Sequence, residues 1–348
     1  MRWFGALLIF SCTGCSTLDA PLPLPVLENS IRLSVAVVSN PALPPIPQSR
    51  LNRILVEASR EAEATFGTKI TFTDPVRMDI GEFFKRFDAE FEQRASKELI
   101  YDFKRGTGDQ QRLAKALEKT FRNSGSSFEA LYRFSQPYLL AKPRPRDLAG
   151  LASAVAWTHI SRLRRLREVV AQDGQRAIRE EPYNEYVYWA VAGHYPLGFE
   201  VVITNQLLAS AEYLNPDLHS SIRGGITNGV TSACPDCRYG AYSLLSTYAV
   251  WSKDSVTNEM RDGQHLEESE AIRAAALVLV HELGHQLFHY GHPFGQSRCV
   301  MSPTQLLRFR EWIRDIEPGG CQFGSQPTLV PGFNKFHDFR KQARKSKT

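Results

Sequence analysis

No apolar run in this chain approaches the roughly 18 uninterrupted residues that a membrane-spanning helix needs, which excludes a polytopic membrane protein. Charge of one sign is also lacking: 42 Lys+Arg stand against 37 Asp+Glu, so neither a polyanionic nor a polycationic partner is implied by the whole. With 23 Gly and 20 Pro in 348 residues and no sustained heptad or internal repeat, collagen, low-complexity disorder and coiled coil are excluded as well. Cysteine is scarce. Six thiols cannot be the framework of a chain this long, which can bury a core without staples or a structural metal, as one large domain or two smaller ones. A metal, if bound, is there for chemistry.

The first fifteen residues account for two of the six cysteines. Met1-Arg2 is a short basic start, Trp3 to Phe10 is an apolar run, and Ser11-Cys12-Thr13-Gly14-Cys15 follows, the layout of a secretory signal. Gly14-Cys15 resembles the bacterial lipobox, in which the Cys becomes the lipid-modified N-terminus, although Cys12 stands where Leu is commonest. Cys12 after Ile9-Phe10-Ser11 is the alternative modified residue, but it would leave Cys15 as an odd thiol, and a plain cleaved signal is a third reading. The resemblance implies a lipid-anchored protein of the bacterial cell envelope, and Ser16 after Cys15 implies sorting to the outer membrane. Residues 16–30 then read as a proline-rich tether.

Cys234, Cys237, Cys299 and Cys321 remain. An even number outside the cytoplasm favours disulfides, and of three connectivities the local one, 234 with 237 and 299 with 321, is expected. Cys234-Pro235-Asp236-Cys237 would suit a thioredoxin-type redox pair if a helix began there, but Arg238-Tyr239-Gly240 follows, so a loop staple is expected.

Ile31 to Ser39 reads as a buried strand, Leu51 to Phe66 as a helix stopped by Gly67, and Thr68 to Thr73 as a strand before Asp74-Pro75. From about 77 to 182 the pattern is helical, including a long helix with Asp147 as N-cap ending near Glu181-Pro182, so a helical insertion is expected there. Its Arg162 to Arg167 run reads as a solvated face. Strands return at Phe199–Thr204, Gly225–Val230 and Ala241–Trp251, the glycine-flanked middle one as a sheet edge. A helix from about Glu267 to Tyr290 is apolar nearly all round and should be buried against the sheet.

That helix carries His281-Glu282-Leu283-Gly284-His285. Two His four residues apart lie on one helix face and can share a zinc ion, while Glu282 can hold the metal's water. A catalytic zinc keeps three protein ligands and one open position, so a third ligand is owed. His289 continues the face, but one further turn advances about 5–6 Å along the axis, too far for a straight helix to converge on one ion. His292 follows Gly291, whose freedom suits a left-handed turn back towards the helix face, so His292 is the expected third ligand and His289 the alternative. His194, His219 and His265 lack such spacing.

Downstream, Arg298-Cys299-Val300-Met301-Ser302-Pro303 places a Met shortly after these His. HExxH, a Gly-containing turn, a third His and then such a Met resemble the metzincin metalloproteases, and among them the archaemetzincins, with Cys299-Val300-Met301 matching Cys-x-Met at the Met-turn. Weaker likenesses are the helix leading into Lys69-Ile70 and the Val201-Val202-Ile203-Thr204 strand, so the resemblance covers residues 31–75 and 196–321. It implies an α+β, α/β-like fold: a mixed twisted sheet with an edge strand over a long active-site helix, in a catalytic domain spanning 31–330 around the helical insertion. It also implies a zinc endopeptidase with Glu282 as general base, Met301 beneath the metal, and a peptide or protein substrate paired with the edge strand. Two departures stand. HExxHxxGxxH would put Gly at 288 and His at 291, where this chain has Phe288 and Gly291. Archaemetzincins also carry a second, four-Cys zinc site, for which Cys299 and Cys321 are too few. A metal-binding envelope lipoprotein without activity, and a zinc hydrolase acting on peptidoglycan, are the competing functions.

Residues 331–348 form a basic tail, with Lys335, Arg340, Lys341, Arg344, Lys345 and Lys347 against Asp338, which equals the whole net charge of +5. The body is therefore neutral, and nucleic acid is not an expected partner.

Overall fold

The computed structural model describes residues 28–321 apart from 141–142, 171–173, 175, 179–181, 212–221, 223, 235–236 and 294–295. The signal segment with Cys12 and Cys15, most of the tether, His219 and the basic tail lie outside the described residues.

The apolar run from 31 to 39 is two strands rather than one, β1 (Ser30–Leu33) and β2 (Val35–Ser39), in different sheets. Ser34 breaks it, because its N–H and its hydroxyl both donate to the Glu200 carboxylate at 2.6 Å instead of to a ladder. Helix α1 (Gln48–Phe66) buries Leu51, Ile54, Leu55, Ala58, Ala62 and Phe66 at helical spacing and stops at Gly67, whose φ of 67° is the left-handed conformation glycine adopts freely. β3 (Lys69–Phe72) and β4 (Val76–Asp79) follow, separated at Pro75, which has no N–H for a ladder. β3 pairs in parallel with β1, and β4 with β2.

The helical insertion therefore begins after β4, a few residues later than its pattern predicts. It comprises α2 (Ile80–Phe84), α3 (Ala89–Glu98), a small hairpin of β5 (Tyr101–Asp102) and β6 (Thr107–Gly108), then α4 (Gln110–Asn123), α5 (Phe128–Ser135), α6 (Leu148–Arg167) and α7 (Tyr186–Ala192). Asp147 caps α6 by accepting from the Gly150 N–H, as its position predicts, but the helix ends at Arg167 and not near Glu181. Beyond it the chain doubles back, Ala177 N–H donating to Val169 O.

β7 (Val201–Thr204) is the centre of the main sheet. β8 (Leu208–Ser210) and β9 (Gly225–Thr227) form a separate antiparallel pair, so the stretch read as one strand over 225–230 divides at Asn228. β10 (Gly229–Ala233) is the antiparallel edge of a five-stranded mixed sheet in the order β10-β11-β7-β2-β4, where β11 (Ala241–Ser246) is shorter than predicted because Tyr248–Trp251 is helical. β7 and β11 are buried at every position, as strands covered on both faces must be. One face, with Val35, Val37, Val201, Ile203 and Leu245, packs on α1 and the long helix; the other, with Ala36, Val38, Val202 and Leu244, packs on the aromatic side chains Phe83, Phe84, Phe91 and Trp189 from the insertion. Leu113, Leu117, Phe121, Val155 and Leu163 of α4 and α6 belong to the first of these cores, so the insertion is built into the body. The result is an α+β, mixed-sheet fold. No helix among the described residues is long and apolar enough to cross a membrane.

Candidate metal centre

The long helix spans Glu268–Phe288 and opens with a capping box, Glu267 and Glu270 each accepting from the other's backbone end of the turn. From Ala274 to Gly284 every residue is buried, between α1, β10 and β11. Gln286 is the polar exception in the last turn. Its side-chain amide donates to Ala241 O at 2.9 Å and Glu200 O at 3.2 Å, and its oxygen accepts from Ser243 at 2.7 Å, which bolts this turn to the sheet.

The helix ends at His289, which is itself left-handed at φ 56°, ψ 33°. His289 N–H donates to His285 O and Tyr290 N–H to Gly284 O, both at 3.2 Å, so the last carbonyls of the helix are satisfied across a left-handed end. The left-handed turn expected at Gly291 is thus made two residues earlier, and Gly291 has no positive φ. The reversal at His289 brings His292 back to the face of His281 and His285. The three-residue step from turn residue to third His is the one in HExxHxxGxxH; here one extra residue in the helix displaces both. His289 itself does not join the cluster, and burial pushes its imidazole pKa down.

His281, His285 and His292 do converge. Their Nε2 atoms lie 3.1 Å (281 to 292), 3.1 Å (281 to 285) and 3.0 Å (285 to 292) apart. His281 Nδ1 is 2.8 Å from Val300 O, and His285 Nδ1 is 2.5 Å from Tyr290 O. A carbonyl only accepts, so both Nδ1 atoms carry the proton and both Nε2 atoms present lone pairs. Lone pairs facing one another at 3 Å repel unless a cation lies among them. The triangle they form is close to the face of a tetrahedron, with edges of about 3.3 Å, around a metal held at about 2.0–2.1 Å. The cluster could therefore hold a metal ion, and among the described residues it is the group placed to do so.

The surroundings are arranged around this cluster. Met301 is fully buried under the helix; a Cβ built on Gly284 would fall 2.2 Å from its Sδ, so only glycine lets Met301 pack there. Cys299–Cys321 closes the turn from below with an S–S distance of 2.04 Å, and Cys234–Cys237 closes the loop after β10 at 1.96 Å, both as expected. Glu282, 8% exposed, faces the edge strand, its Oε2 accepting from Thr231 Oγ1 at 2.7 Å. His194 and His265 are elsewhere. Thr231, Gly229, Gly284, Gln286 and the two carbonyls have no sequence motif. Of these only Gln286 leaves a signal, as the polar residue in an apolar helix.

No known family model, characterised protein or solved structure matches this chain.

Proposed function

We propose that this protein is a zinc-dependent metallopeptidase of metzincin type, close to the archaemetzincins, in which His281, His285 and His292 hold zinc and Glu282 is the general base. The observation that carries the reading is the convergence of three Nε2 atoms on one point beside a buried carboxylate. Pure metal binding has no need of Glu282. When bound, zinc lowers the pKa of a coordinated water to near neutrality and polarises the scissile carbonyl.

The chain's own residues do the rest. The carbonyls of Val300 and Tyr290 hold two imidazoles in the tautomer that offers Nε2. Glu282 takes the proton from the attacking water and passes it to the leaving amine. β10, at the sheet edge, offers backbone N–H and C=O groups to an extended peptide by strand addition. Residues 1–15 direct the protein to the bacterial envelope, with lipid on Cys15 anchoring it at the outer membrane.

The test is digestion of a peptide library by the purified soluble protein lacking residues 1–20, with and without a chelator, beside Glu282→Gln. One zinc per chain, cleavage lost to the chelator, and a Glu282→Gln variant that keeps zinc but not cleavage are expected. Undiminished cleavage by that variant overturns the mechanism. Zinc without hydrolysis of any peptide leaves the non-catalytic metal-binding reading, and cleavage of peptidoglycan alone changes the substrate class.

A further inference from the structure

Gly229 and Thr231 are two residues apart on β10, so they share the face on which the long helix packs. Both meet Glu282. Thr231 Oγ1 donates to Glu282 Oε2 at 2.7 Å and also lies 3.0 Å from the Glu282 carbonyl oxygen, within reach of both ends of the residue. Gly229 pairs with Leu245 as an ordinary strand residue and has no positive φ, so the backbone there does not call for glycine. Space does: a Cβ at 229 would fall 2.3 Å from Glu282 Oε1 and 2.9 Å from both Cδ and Cγ.

We infer that Thr231 and Gly229 form a cradle for the Glu282 carboxylate, with Thr231 as a positioning residue that anchors Oε2 and Gly229 as the gap in which Oε1 rests. This deepens the peptidase reading and rests on it for the role of Glu282. Anchoring one oxygen of a carboxylate fixes the position of the whole group, and with it the place at which it takes a proton. Because β10 is also the strand proposed to pair with substrate, one element sets the positions of both the peptide and the base. A hydrogen bond to a charged group accounts for roughly 10–100-fold in rate when its loss lets the group wander, and a displacement of about 1 Å costs ~100-fold.

The experiment uses the full-length protein loaded with zinc and a peptide that the wild type cleaves. Thr231→Val should lower kcat about 10-fold or more with KM within about twofold and zinc content unchanged, and Thr231→Ser should recover most of that loss. Gly229→Ala should lower kcat about 100-fold. Wild-type kcat in Thr231→Val, or a Ser variant no better than Val, overturns the cradle. A second readout is independent of activity: denaturant midpoints of wild type, Thr231→Val, Glu282→Ala and the double variant. Thr231→Val should lower the midpoint more when Glu282 is present than when it is Ala, where only the backbone carbonyl remains as a partner; additive shifts overturn the cradle. A wild type that cleaves no peptide overturns the peptidase reading, and the midpoint cycle still decides the cradle on its own.

Discussion

Two long helices of this protein bury ionisable side chains in apolar surroundings, and they do so in opposite ways. In Glu268–Phe288 the polar atoms are sorted: two Nδ1 atoms face carbonyls, two Nε2 atoms face each other and that of His292 just beyond the helix, and Glu282 Oε2 faces a hydroxyl. In α6, His159 is fully buried, and its pKa is pushed down to about 3 by burial and by the neighbouring Arg162, against a backbone hydrogen bond at Ile222 that raises it. Arg162, also buried, donates to Tyr138 O at 2.8 Å and Gly224 O at 3.3 Å, and burial lowers its pKa to about 10. One helix aims its nitrogens at a common point; the other keeps a neutral ring as core and uses a cation to tie the insertion to the backbone just before β9. Burial of a His is thus uninformative by itself. What its two nitrogens face separates a ligand from filler.

Breaking this contrast should have its largest effect at His292. His292→Ala should reduce zinc affinity by more than the roughly 10–100-fold that outer-sphere changes cost, whereas His289→Ala should leave it within a few-fold, as read by competition with a chromophoric chelator. Loss of zinc from the His289 variant alone would reverse the ligand assignment. Next is Arg162→Ala, which leaves two buried carbonyls without their donor and should cost about 2–4 kcal/mol in denaturant unfolding. Gly284→Ala drives a methyl into Met301 and should cost about 1–3 kcal/mol, with metal affinity falling alongside.

The pH dependence of His159 sharpens the comparison further. In the folded protein its pKa is about 3, against 6.5 for the ordinary group, so below 6.5 the unfolded chain holds a proton that the folded one does not. Stability therefore falls as pH drops from 6.5 towards 3, by ~2–3 kcal/mol at pH 4.5, and His159→Phe should remove that loss while changing stability little at pH 7. Metal-free protein is the sample, so that zinc release does not enter. The smallest effect is at His289, whose left-handed backbone suits glycine: His289→Gly should be stabilising by up to about 1 kcal/mol in thermal unfolding, with zinc retained.

Much of this was legible in the chain itself. The periodicity of α1, the apolar strands β2 and β7, the N-cap at Asp147 and the buried lead-in at Ala274–Val280 are local patterns, and local patterns survive into the fold. The local disulfides also followed from spacing. The errors fell where a distant residue decides. Ser34 ends β1 because Glu200, far along the chain, takes its hydrogen bonds, and 225–230 divides because its two halves find different partners, β8 and β11. The early end of α6 and of β11 likewise belongs to chain reversals that no apolar pattern marks.

The sequence by itself determined which residues can bind a metal: HExxH at helical spacing, with two more His at one and nearly two turns beyond. It also determined that Val35 to Val38 is a buried strand, since that run has no polar face to offer water. Only the tertiary structure decided which of His289 and His292 joins His281 and His285, because that rests on a single backbone rotation at His289 that turns the chain back on its own helix. It alone also decided what surrounds Glu282, because Gly229 and Thr231 reach it through sheet pairing from some fifty residues away. Ligand types are written in side chains along one helix, whereas the directions in which they point are set by contacts between elements.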